Sequence, residues 1–261
     1  MIPYVEVTML RLGPVTIPVF LSLLVTAVAV ASAIIILRGR RHGMAYEHTE
    51  GLCLCAALCG YAGGHLFRYA YDFDRLIQLL QDPRHILSGG IASFGGFFGG
   101  IAGAYGFFWL RKVKAEERLK LLDLAGFALP FSWVFGRIGC SLVHDHPGLR
   151  TTSWLGVKFP GGTYYDLGLL EVFFLILLGA LFLLLDRKER PTGFYFGLFF
   201  LLYGIFRLGL DQLHVDPPRY LGVTVDQYAA SAAILTGMIA LSAMVRRSRL
   251  VIYTQTLGRQ A

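Results

Sequence analysis

Seven stretches of about 20 predominantly apolar residues dominate this chain, each long enough to cross the hydrocarbon core of a bilayer as a helix. They fall near 14–37, 51–71, 85–110, 121–143, 166–185, 193–213 and 224–245. Lipid offers no partner to a bare N–H or C=O group, so runs of this length are predicted to be helical throughout. The composition agrees: 55% of the 261 residues are hydrophobic and 16% are charged, against roughly 25% charged in soluble domains. Mean hydropathy is +0.58. The fold class expected is an all-α integral membrane protein of about seven transmembrane helices, one polytopic domain over 1–261. The first run is too long for a cleavable leader and lacks a basic segment before it, so it is read as a retained span.

The net charge of +7 invites a nucleic-acid reading, which its distribution excludes. Basic residues gather as RGRRH after the first run, RKVKAEERLK after the third, DRKER after the fifth and RRSR after the seventh. With seven crossings these four clusters share one side, the pattern of cytoplasmic anchors. The N-terminus is therefore expected outside and the C-terminus in the cytoplasm. No basic stripe with interleaved aromatics appears, and no nucleic-acid partner is expected. Cys53, Cys55 and Cys59 lie inside an apolar run without paired C-x-x-C spacing, as packing residues do. The longest external loop, near 144–165, carries Tyr164 and Tyr165, which suit the membrane interface.

Charges inside the apolar runs carry the functional signal. A cation at bilayer depth costs about 2.5–3.5 kcal/mol, so it faces a partner or a cavity. Arg207 has Tyr203 at i−4, Asp211 at i+4 and His214 at i+7, a polar stripe down one face. That stripe is either a structural ion pair or an anion site of the kind the planar guanidinium suits. Arg137 has no anion at i±3 or i±4, so its counter-charge must come from another helix or a ligand. Two arginines converging on one anion would hold a phospholipid headgroup.

Three further features are weaker. Gly95/Gly99 and Gly96/Gly100 have the spacing of a close helix-packing face. The same Gly-Gly pairs would alternatively break the helix and turn backbone N–H groups to a ligand. His144 and His146, two apart on a loop, are slender evidence for a metal, and none is expected. His65 reads as a satisfied core histidine or a proton carrier.

The segments GGHLFRY, GGIASFGGFFGG, DLAGFALPFSWVFGRIG and GLFFLLYGIFRLGLD, in this order, resemble the prolipoprotein diacylglyceryl transferases along nearly the whole chain. Gly136-Arg137-Ile138-Gly139 matches the first half of that family's G-R-x-G-N-x-x-N-G-E pattern. Tyr203, Gly204, Arg207 and Asp211 match Y-G-x-x-R-x-x-x-E with Asp for Glu, and Glu171 is retained. The resemblance implies transfer of diacylglyceryl from phosphatidylglycerol to the sulfur of a lipobox cysteine in prolipoproteins. It places the site at the periplasmic face of the bacterial inner membrane and requires no cofactor. On this reading Arg137 and Arg207 bind phosphate, with Gly95, Gly96, Gly136, Gly139 and His214 lining the lipid site, and Asp211 orients Arg207. Several family positions differ: Phe94 stands for the histidine of His-Gly-Gly, Cys140 for an Asn, Phe20 for a Tyr, and Val143-His144-Asp145 for Asn-Gly-Glu. His144 and His146 are therefore expected to supply the imidazole, with Tyr203 and Asp211 completing the catalytic set. Two alternatives stand beside this one: a member that binds anionic phospholipid without chemistry, and an anion transporter.

Overall fold

The computed structural model describes residues 1–71, 93–215 and 219–257. Among them it is mostly helical: α1 Val19–Arg41, α2 Tyr46–Tyr71, α3 Ser93–Leu110, α4 Ala115–Val143, α5 Leu167–Leu185, α6 Phe194–Asp211 and α7 Val225–Leu257. Five are long and apolar enough to cross a membrane: α1, α4, α5, α6 and Val225–Arg247 of α7. The runs expected at 51–71 and 85–110 correspond to α2 and α3, the part of the latter before residue 93 lying outside the described residues. Large apolar side chains on α5 such as Leu177, 70% exposed, face outward. Such a surface is suited to lipid.

The chain forms two compact units, Met1–Ala31 with Leu122–Ala261, and Ser32–Leu121. In the smaller, glycines seam α2 to α3. A Cβ on Gly99 would overlap the Cys59 carbonyl oxygen, and one on Gly60 would lie 3.1 Å from the Gly96 oxygen. Helix α3 runs unbroken from Ser93, so Gly95 and Gly96 act in packing and the helix-breaking expectation is corrected. Small residues let the backbones close to contact, which supplies the association that lipid cannot drive by hydrophobicity.

In the larger unit, α6 and α7 meet in the same way, a Cβ on Gly204 coming within 2.8 Å of the Ala230 oxygen. Gly193, at φ 95°, opens α6 without a side-chain cap of its own. Asp123 of α4 takes over that task, its Oδ1 accepting from the Tyr195 and Phe196 N–H groups at 2.7 and 3.1 Å. The orphan donors of the helix start are thereby satisfied.

Where an external loop is expected, three short strands join one from the N-terminal segment in a four-stranded sheet. They are β1 Ile2–Pro3, β4 Pro147–Arg150, β5 Val157–Phe159 and β6 Gly162–Asp166, in the order β1-β5-β6-β4, with β1 parallel to β5. Two hairpins complete the unit, β2 Met9–Leu12 with β3 Val15–Pro18 and β7 Arg219–Tyr220 with β8 Val223–Thr224. Asp166 ends β6 and caps α5, its Oδ1 accepting from the Leu169 N–H at 2.8 Å. This fixes the start of the helix that carries Glu171 one turn later.

Candidate active site

Helix α5 is apolar throughout except for one residue. Glu171 is fully buried, and a carboxylate there persists only if nearly every lone pair is satisfied. Four side chains do this. Arg137 Nε of α4 lies 2.7 Å from Oε1, and Arg207 Nη1 of α6 lies 3.0 Å from Oε2. The Tyr203 hydroxyl donates to Oε1 at 2.6 Å and the Trp133 indole N–H at 3.2 Å. The two arginines therefore share one buried pocket, as the sequence led us to expect, and their common anion is Glu171 of the intervening helix. The Arg137 guanidinium also sits over the Trp133 ring, 5.8 Å from its centroid.

Arg207 has a second carboxylate. Its Nη2 donates to Asp226 Oδ2 at 2.7 Å, from the first turn of α7. The expected i+4 pair with Asp211 is not formed. Asp211, also buried, accepts from the Thr224 hydroxyl at 3.0 and 3.1 Å and from the Gln227 amide at 2.8 Å. It sits at the last position of α6, where the β7–β8 hairpin supplies nearer donors, so it anchors the hairpin and does not orient Arg207. The cluster of two arginines, Glu171 and Asp226 is neutral overall, which limits the cost of burying it.

The loop after α4 separates the two histidines. His144 takes a left-handed backbone, φ 52°, and both its ring nitrogens are engaged. Nδ1 meets Asp166 Oδ2 at 2.6 Å and Nε2 meets the Val5 carbonyl at 3.2 Å. The ring stacks on Tyr4 at 4.4 Å and lies edge-on to Phe159 at 5.0 Å. No ring nitrogen remains for a substrate proton, so the expectation that His144 supplies the imidazole is corrected: it fastens the N-terminal segment to α5.

His146 turns the other way. It is 43% exposed, with Nδ1 against an oxygen of Asp145, an arrangement that fixes ring orientation. Its ring meets that of His214 edge-on, with centroids 6.4 Å apart. His214 is held by a bridge to Gly148 and lies 3.8 Å from Asp226. Burial, aided by Arg207, holds its imidazole below the ordinary 6.5, although Asp226 opposes. Cys140, buried one turn after Arg137, is contacted by Arg137 Nη1 at 3.9 Å. Its sulfur, an Asp145 oxygen and a His146 nitrogen all lie within 4.8 Å of one another.

Gly136 faces open space, and a Cβ on Gly139 would come within 3.1 Å of the Phe20 side chain. Gly95 and Gly96 belong to the α2–α3 seam, and the side chain of Phe94 lies outside the described residues. His65, also in that unit, is buried beside Tyr61, and its Nε2 has no partner among the described residues. Spacing within single helices did not reveal Asp226, Thr224, Gln227 or Trp133. Glu171 entered the sequence reading only as a position retained from the family pattern.

These features define a class: a helical membrane protein whose interior holds two arginines on one carboxylate, with a cysteine near the end of α4 and histidines on the loop that follows. The prolipoprotein diacylglyceryl transferase model matches residues 7–243, and the chain belongs to that family. A phosphatidylglycerol–prolipoprotein diacylglyceryl transferase of Clostridium tetani is 25% identical over 229 residues, covering 83% of this chain and 89% of its own. The enzyme of that name from Pasteurella multocida is 31% identical over 209 residues, 76% and 71% of the two chains. The Symbiobacterium thermophilum relative of the same name is 21% identical and spans 95% and 96%.

Proposed function

We propose that this chain transfers the diacylglyceryl group of phosphatidylglycerol to the thiol of a lipobox cysteine in prolipoproteins. The observation that carries the reading is the convergence of Arg137 and Arg207 on Glu171. Each guanidinium offers five N–H donors, and the carboxylate engages one from each. Beyond these and the bond from Arg207 to Asp226, the donors left on the two groups are of the kind that stabilises a leaving phosphate. Glu171 and Tyr203 act as positioning residues, and Asp226 fixes the second edge of Arg207. Gly136, Gly139 and His214 border the lipid. Asp211 contributes through the hairpin it anchors.

The thiol must lose its proton to attack. His146, oriented by Asp145 and open to solvent, supports this step, since His144 is fully engaged. The wider reading has one polytopic domain with seven crossings, the N-terminus outside and the C-terminus in the cytoplasm. Its site faces the periplasm of a bacterial inner membrane. Arg38, Arg40 and Arg41 in the last turn of α1 support that orientation. A second reading, lipid binding without chemistry, draws on the engaged nitrogens of His144 together with Phe94 at the family's histidine position.

Purified protein incubated with labelled phosphatidylglycerol and a lipobox peptide separates the two. Label on the peptide sulfur, lost in Arg137→Ala and in Arg207→Ala, is the expected result. Lipid retained by the protein with an unlabelled peptide would refute transfer and leave the binding reading.

A further inference from the structure

Two histidines from distant parts of the chain are brought ring to ring beside the arginines. The Leu149 N–H of β4 donates to the Leu213 carbonyl at 2.8 Å, and Gly148 forms a bridge with His214. Only glycine allows so close a pass, since a Cβ on Gly148 would lie 2.7 Å from the Leu213 oxygen. The His146 carbonyl accepts from the Leu167 N–H at 3.2 Å, which ties the approach to β4 to the start of α5. The two rings meet edge-on with centroids 6.4 Å apart. One bridging water, or a turn of the 43% exposed His146 ring, spans that gap.

Each ring has one nitrogen facing a carboxylate. Asp145 engages His146 Nδ1, and Asp226 lies 3.8 Å from His214 Nε2. These contacts favour a proton on those nitrogens. His146 Nε2 and His214 Nδ1, which have no partner among the described residues, are left as acceptors. The pair also reaches both arginines. A His146 ring nitrogen lies within 4.8 Å of Cys140 Sγ, which Arg137 Nη1 contacts at 3.9 Å. His214 and Arg207 address the same oxygen, Oδ2 of Asp226. The histidines thus join the two arginines a second time, as Glu171 joins them the first.

We infer that His146 and His214 form a relay that carries the proton of the acceptor thiol to the leaving phosphate. The inference rests on the transferase reading above and deepens it: His146 receives the proton and His214 delivers it. The pair suits one proton at a time. Burial disfavours charge on His214 and Arg207 and His146 add to it, against Asp226 and Asp211, so its imidazole stays below 6.5. A phosphate monoester takes up its second proton at about pH 6. Donor and acceptor are therefore close in strength, as efficient proton transfer requires.

The step balances. The thiol S–H bond breaks as His146 Nε2 takes the proton and passes it to His214 Nδ1. His214 Nε2, on the Arg207 side, releases the proton it held. The sulfur attacks the glyceryl carbon that carries the phosphate ester. The S–C bond forms, the C–O bond breaks, and its electron pair stays on the phosphate oxygen, which receives the proton. Glycerol phosphate leaves as a monoanion, the charge its phosphate brought as a diester, and both imidazoles are neutral again.

The test uses the full chain in detergent with labelled phosphatidylglycerol and a lipobox peptide. His146→Ala and His214→Gln should each lower kcat by about 10²–10⁴-fold, with KM for the lipid changed little. The double variant should lose no more than the less active single one, since both residues act on one proton. Free imidazole should restore part of the transfer by His146→Ala, which a merely structural role would not allow. Full kcat in either single variant, or a raised KM with kcat intact, overturns the relay. So does a double loss equal to the product of the single losses, or an imidazole that restores nothing. A wild-type chain that transfers no label defeats the transferase reading instead, and the relay with it.

Discussion

Two carboxylates serve the same helices of the larger unit in different ways. Asp123 lies near the start of α4 and Glu171 meets that helix at Arg137, about 21 Å further along its axis by residue count. Asp123 accepts from two backbone N–H groups of α6 and thereby replaces a missing cap. Glu171 accepts from two guanidinium groups, a phenol and an indole. The first arrangement stabilises a helix start. The second holds two cations on one buried carboxylate, where the proposed transfer needs its phosphate bound.

Glu171→Gln should break the comparison most severely. Two buried arginines would lose their shared anion, at about 3–5 kcal/mol, and transfer should fall with a lowered thermal midpoint. If both were unchanged, Glu171 would not be the organiser. Arg137→Ala and Arg207→Ala come next, each lowering kcat by about 10²–10³-fold if they stabilise the leaving phosphate. Arg207→Lys should recover part of that loss, since a point charge satisfies Glu171 or Asp226 but not both. Steady-state kinetics with labelled lipid would settle it; an equal loss with Lys and Ala would argue against a role for charge.

Asp123→Ala should cost about 0.5–2 kcal/mol in unfolding free energy, the range for a lost cap. Transfer per folded molecule should be unchanged, and a fall in kcat would blur the distinction drawn here. The smallest effect concerns His214. Its imidazole is held below 6.5 in the folded chain, so below that pH the unfolded state takes up the proton first. Stability should therefore decline as pH falls through 6.5 towards the depressed value. His214→Gln should flatten that part of a melting-temperature profile. A profile steeper in the variant would reverse the sign assigned to this residue.

What the sequence made legible follows the same division. Arg137 and Arg207 stood out because charge in an apolar run demands an explanation. Their shared pocket followed from that demand. Their actual partner did not, since nothing in linear spacing states that α5 presents Glu171 to both. Asp226 had an ordinary reading as an acidic residue in a helix's first turn, favoured by the dipole. Asp211 at i+4 looked better placed for Arg207 than it is, because helical spacing ignores the Thr224 and Gln227 donors of the next element. The division of labour between His144 and His146 depends on a positive φ at a non-glycine residue, which no pattern signals. Strands of two to five residues are likewise too short to impose a periodicity.

The β7–β8 hairpin sets the phase of the last helix. Thr224 is pinned by Asp211, and two residues later Asp226 meets Arg207. One residue inserted between them would advance every following side chain by about 100° around the axis of α7. The carboxylate would swing off the guanidinium while the hairpin stayed fastened. The site is thus tuned by the length of the junction between β8 and α7, and evolution could detach the arginine without altering a single residue that touches it.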